Sequence, residues 1–368
     1  MDSTFTKLLN CNGQSITHID VKVQPGDVHL LEKLLIRCPK LKIIKYQQRQ
    51  LSQEAQQPFH DKCAFSENLL DQQQQDQQRP LFSCLESITI NGVAPIHQLL
   101  NNDIDIPNLR YLNIFCPYNN NLEYIRDQGW PQLRFLQLMG ILWTPELLSN
   151  LSKAILNMPL LESIHFISNI PSTNELYTAI AGLEHLKALF IDNQRYYTGE
   201  LREEDEVFQD TEEGLLCLLR GKCRQSLQKL QLNAVNVLTD RILDAIPDWS
   251  DRMTCLSLVL RVSGRRQWQL QQQRQGTNHG GGVGLLTDLG LRRFASSLSE
   301  NKMDYLGLFM EFRVATPDTI MFILDKLGPN FASNVIYSDI VGCKRYLKIS
   351  SDGIWSVHDR NGLIKRLR

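Results

Sequence analysis

The sequence has no apolar run approaching the roughly 20 residues that span a bilayer. Its opening MDSTFTKLLN lacks the apolar core of a signal peptide. From these absences the chain is expected in the cytoplasm or nucleus, without a membrane partner. Net charge is also missing: Lys and Arg number 39 against 40 Asp and Glu, a formal balance of -1. No whole-chain field therefore attracts nucleic acid, which is not expected as a partner. Nine cysteines occur without a C-x-x-C pair. An odd count of that kind suits a reducing compartment in which cysteine acts as a small buried hydrophobe, and no disulfide is expected.

Catalytic signatures are missing as well. There is no G-x-S-x-G, no P-loop, no G-x-G-x-x-G after a strand and no H-E-x-x-H, and no Lys-Ser or Lys-Thr follows the glycine run at 280–284. That run reads as a linker. His60 and Cys63 have H-x-x-C spacing, but no second pair completes four metal ligands. The acidic stretch at 200–210 reads as a solvated loop, since acid/base catalysis needs carboxylates fixed on rigid elements. A segment with Arg261, Arg265, Arg266 and Trp268 reads the same way, contact with RNA or an acidic protein being the sharper alternative. No enzyme, metal or cofactor is expected.

What the sequence does contain is a recurring spacing. Residues 131–167 read as a short strand, a helix and a second strand: Leu133, Leu136 and Leu138 follow L-x-x-L-x-L, and Leu161, Ile164 and Phe166 repeat it. The same pattern starts at Ile16, Leu41, Leu85, Leu109, Leu133, Leu161, Leu186, Leu227, Met253 and Met303. Most steps fall in the roughly 20 to 29 residue period of leucine-rich repeats. The expected fold is therefore an α/β leucine-rich repeat solenoid, a right-handed α/β horseshoe of about ten repeats, with strands on the concave face and helices outside.

Hydroxyl residues stand where helices should start: Thr144 before Pro145, Ser172 with Glu175 as a capping box, Thr211, Thr239, Thr287, and Thr316 before Pro317. Three longer steps carry polar insertions at 47–80, 195–210 and 263–284, rich in Gln, acid, and Arg with Gly respectively, which are expected to be mobile. The array is expected over 1–333. Over 334–368, three short strands separated by Asp352-Gly353 and Asn361-Gly362 predict a β-rich C-terminal cap.

Side chains alternate across a strand. If positions four and six of each repeat face the core, positions three, five and seven face solvent on the concave side. Tyr111, Phe115, Phe135, Met139, His165, Ile167 and Phe190 occupy such positions. Large apolar groups among polar neighbours point to a protein-binding surface rather than random exposure. The competing reading is that insertions cover this face or that strand register turns some of these residues inward.

The segments CPKLKII at 38–44, IPNLRYLNI at 106–114, WPQLRFLQL at 130–138 and MPLLESIHF at 158–166 resemble the leucine-rich half of fungal or protist F-box proteins. That resemblance implies a non-enzymatic scaffold that holds the substrate of an SCF-type ubiquitin ligase. The family's F-box, roughly forty residues that recruit the Skp adaptor, has no room before Ile16. It is expected to be lost or encoded upstream, and an adaptor contact requires the upstream form. Of the Asn or Cys that usually follows the last strand leucine, Asn169 is the clear match. The alternative is a repeat protein that regulates an enzyme, in the manner of ribonuclease-inhibitor-like or GTPase-activating proteins. A monomer is expected.

Overall fold

Proline sets the entry to the strands. The computed structural model describes residues 10–23, 34–35, 37–48, 82–92, 105–115, 129–141, 143–167, 173–192, 212–235, 239–246, 254–260, 287–298, 305–310, 319, 322, 336–338, 344–349, 355–359 and 362–367. In it the N–H groups of Leu41, Leu109, Leu133 and Leu161 donate to the carbonyls of Cys38, Ile106, Trp130 and Met158 at 3.0 to 3.3 Å. Each bond closes a β-turn, with Pro39, Pro107, Pro131 or Pro159 at its second position. There the fixed proline φ suits the turn and the missing N–H is not needed. Phe82 to Leu85 closes the same turn without proline.

The chain clusters into two compact units, Met1–Ile170 and Pro171–Arg368. In the first, six strands pair in chain order and in parallel: β1 (His18–Val23), β2 (Ile43–Gln48), β3 (Ser87–Asn91), β4 (Tyr111–Phe115), β5 (Phe135–Met139) and β6 (Ser163–Ile167). Their register joins equivalent positions, as in Ile44 to Ile88, Leu112 to Leu136 and Leu138 to Phe166. From β2 to β6 both core positions of every strand are at most 1 % exposed, so one face of the sheet is a closed apolar ladder. Even the phenol of Tyr46 lies in it.

After β5 comes α1 (Pro145–Leu156), which starts where Thr144 and Pro145 predict. The Thr144 hydroxyl accepts from Leu147 N–H at 3.2 Å, and Pro145 fills the first turn. Leu147, Leu148, Leu151, Ala154 and Ile155 are buried. Trp143 packs edge-on to Phe166, with ring centroids 6.2 Å apart. Gly129 has φ +62, and a Cβ there would stand 2.5 Å from the Ala154 carbonyl oxygen, so this close approach excludes a side chain.

In the second unit β7 (Ala188–Asp192), β8 (Lys229–Val235), β9 (Cys255–Leu260) and β10 (Tyr305–Met310) are parallel and join equivalent positions, with one register shift between Asn233 and Val235 of β8. A short β11 (Ile336–Ser338), with no counterpart in the sequence reading, continues them in parallel. Direction then reverses. β12 (Lys344–Ile349), β13 (Trp355–Asp359) and β14 (Gly362–Leu367) pair antiparallel, close to the three strands expected at this end.

Among the described residues of this unit four helices lie side by side: α2 (Asn174–Ala181), α3 (Glu212–Arg220), α4 (Asp240–Ala245) and α5 (Asp288–Leu298). The cap of α2 corrects the expected Ser172–Glu175 box. Thr173, in extended conformation, accepts from Leu176 N–H, so helix geometry begins one residue later than the box requires.

The N-termini of α3, α4 and α5 are tied together by one recurring contact. Thr239 caps α4 through Ile242 N–H and donates its own proton to Glu212, the first residue of α3. Thr287 caps α5 through Gly290 N–H and donates to Asp240, the first residue of α4. Thr319 donates to Asp288, the first residue of α5. Each acid also sits at the positive end of its helix dipole, where a carboxylate is favoured. Arg241 and Arg293 reach back to the neighbouring acids Glu212 and Asp244 at 2.9 and 3.0 Å.

Among the described residues no helix is long and apolar enough to cross a membrane. The insertions beyond Gln48, the caps expected at Thr211 and Thr316, the pair His60 and Cys63, Asn169, the arginines from 261 to 266 and the turn at Asp352-Gly353 lie outside the described residues.

Candidate functional site

Strand alternation places the expected residues on the sheet face opposite the apolar ladder. In β3 to β6 burial alternates strictly, with positions one, three and five of each strand half-buried and positions two and four closed. Tyr111, Phe115, Phe135, Met139, His165 and Ile167 are all among the half-buried set of the first unit. Register arranges the twelve open positions as three rows. The first holds Ser87, Tyr111, Phe135 and Ser163; the second Thr89, Asn113, Gln137 and His165; the third Asn91, Phe115, Met139 and Ile167.

Parallel strands about 4.8 Å apart leave neighbouring side chains in contact. Tyr111 and Phe135 stack, their centroids 4.3 Å apart and planes 4° from parallel. His165 lies on the diagonal and tilts against Phe135 at 5.2 Å and 54°. Burial pulls the His165 imidazole below its ordinary 6.5, because the charged form loses water there. The ring is thus neutral at neutral pH, and none of the twelve side chains carries a charge.

Polar and charged groups reappear toward the edge, where β1 presents His18, Asp20 and Lys22 and β2 presents Lys45, all exposed. Lys42 and Glu86 pair at 3.5 Å and Arg134 and Glu162 at 2.6 Å just before the strands, bordering the uncharged rows. Exposed pairs like these set a polar rim and contribute little stability.

The middle row is incompletely bonded within itself. The Asn113 Oδ1 atom is enclosed and accepts no hydrogen bond. Gln137 Nε2, its neighbour across β4 and β5, donates instead to the Met139 sulfur, a weak acceptor.

Phe190 falls in the second unit. It is half-buried on β7, in register with Gln231 of β8. The other six expected residues share one face of one unit. Asn113, Gln137 and Ser163 lie beside them at the same alternating positions, and Ser87, Thr89 and Asn91 complete the face; the signal for these last three is their place at the same repeat positions one segment earlier. Among the described residues no group of three or more His, Cys, Asp or Glu is placed to hold a metal ion.

The sequence matches no protein-family model, and a search of curated proteins finds no match.

Proposed function

We propose that this chain is a leucine-rich repeat protein of the right-handed horseshoe type and that it binds another protein through the face bearing Tyr111, Phe115, Phe135, Met139, His165 and Ile167. The observation that carries this reading is the three-row patch on β3 to β6, uncharged, with aromatic residues on its central strands β4 and β5 and charged pairs along its border. Apolar centres with polar borders are the anatomy of protein interfaces, and aromatic anchors carry most of their energy. Phe190 on β7 is a further contact for the same class of partner.

The specific role we propose, from the resemblance to F-box leucine-rich proteins, is substrate recognition linked to an SCF-type ubiquitin ligase. Affinity capture with the whole chain as bait, run beside a Phe135→Ala variant, tests the surface. Partners held by the native chain and lost by the variant support it; identical captures with both proteins, each folded by circular dichroism, count against it. Pull-down of the Skp adaptor with a full-length transcript tests the ligase role. Acceleration of nucleotide hydrolysis by a captured enzyme would favour the regulatory alternative instead.

A further inference from the structure

We propose that the occupant of the β3 to β6 face is an extended, uncharged segment of a partner protein, lying across the strands with its backbone over the middle row. This rests on the protein-binding reading above and narrows it to one chemistry. The geometry comes from the three rows. Open positions two residues apart along a strand are roughly 6.8 Å apart, and strands repeat at about 4.8 Å. The face is therefore a polar stripe, Thr89, Asn113, Gln137 and His165, flanked by stripes centred on Tyr111 and Phe135 and on Phe115, Met139 and Ile167.

A peptide laid flat along the polar stripe sends successive side chains to opposite sides. Odd positions meet the Tyr111 and Phe135 stripe and even positions meet the other. Four strands give a track of about 14 Å, which an extended chain fills with roughly four residues. The stripe offers that backbone unspent hydrogen-bonding capacity: Asn113 Oδ1 has no donor, and Gln137 Nε2 is committed only to a thioether. Re-setting either amide against a peptide N–H or C=O replaces a missing or weak bond with an ordinary one.

Charge decides against other occupants. A charged side chain on this face would lose water and meet no counter-ion among the twelve residues, including a His165 held neutral by burial. A folded domain presenting a convex polar surface would leave the flanking stripes of Tyr111 and Phe135 and of Phe115, Met139 and Ile167 unmatched.

Panning a phage-displayed library of random dodecapeptides on the whole chain tests the proposal, with Phe135→Glu and Gln137→Glu variants panned in parallel. The expected result is enrichment of peptides with three or four consecutive uncharged, mainly apolar residues. Their binding should change less than about two-fold between low and high salt. Phe135→Glu should lose the set, and Gln137→Glu should shift it toward Lys or Arg at the centre of the run. Circular dichroism of both variants identifies any loss due to unfolding, and either variant suffices alone.

Enrichment of charged peptides, enrichment unaffected by both substitutions, or no enrichment over the variants would overturn the proposal. If panning fails while affinity capture still recovers a protein lost on Phe135→Ala, the extended-segment inference is wrong and the binding face stands. If capture is also unchanged in that variant, both are wrong.

Discussion

Tyr111 and Phe135 stack almost in parallel across β4 and β5, 4.3 Å between ring centroids, on the open side of a sheet whose other side is closed. Such a pair contributes about 0.5 to 1.5 kcal/mol beyond the area that it buries. Phe135→Ala is therefore expected to cost about 1 to 2 kcal/mol in urea unfolding, a modest loss for an aromatic residue. Partner capture should fall by far more than this stability loss explains. A variant with full capture would remove Phe135 from the interface.

The closed side behaves differently. Leu136 is 1 % exposed and lies between Leu112 and Ile164 of the neighbouring strands, and Phe166 is fully buried beside Leu138. Leu136→Ala should destabilise the chain by about 2 to 5 kcal/mol, because neighbouring strands cannot collapse into the cavity. Thermal unfolding measures this, and a cost below that of Phe135→Ala would contradict the assignment of faces.

Protonation of His165 should weaken the fold and any complex that buries the ring. Its imidazole titrates below the ordinary 6.5 because burial opposes the charge. The unfolded chain therefore binds the proton first as pH falls. The stabilising contribution is complete above about 6.5 and is lost as pH falls through the folded-state value. An NMR titration of the ring should show the depressed value, and His165→Gln should flatten that part of the stability profile.

Asp240 accepts from both the N–H and the hydroxyl of Thr287, which holds its carboxylate against the start of α5. A Cβ on Gly290 would lie 1.9 Å from Asp240 Oδ1. Gly290→Ala must therefore break these bonds and should cost about 1 to 3 kcal/mol. The same substitution in an Asp240→Ala background should cost clearly less. Additive losses in the double-mutant cycle would show that the two residues are not coupled.

Thiol chemistry should separate the cysteines by burial. Burial pushes the Cys223 thiol up to about 12, and Cys38 is raised for the same reason, whereas Cys11 is exposed. Iodoacetamide treatment of the native chain followed by mass spectrometry should label Cys11 and spare Cys223 and Cys38. Rapid modification of Cys223 would place it outside the core.

The strands were legible because period-two alternation and the Pro-x-Leu lead-in are local signals. Leu41, Leu109, Leu133 and Leu161 each close a turn onto a residue three positions earlier. The Thr239–Glu212 and Thr287–Asp240 contacts were not legible, since the partners stand 27 and 47 residues apart and only the helix packing joins them. Thr173 and Ser172 offer equivalent hydroxyls to a reader of the sequence, and backbone conformation chose the first. For the face, alternation named Phe135 and His165 but not their mutual tilt, which depends on side-chain torsions that spacing does not encode. The boundary at Ile170 carries no compositional mark.

Ile44 meets Ile88 in the same register in which Leu112 meets Leu136, although nearly twice as many residues separate the first pair along the chain. Connection length and strand alignment are therefore independent variables in this protein. A reporter sequence inserted between positions 49 and 81 is therefore expected to leave the pairing of β2 with β3, and with it the aromatic rows, unchanged.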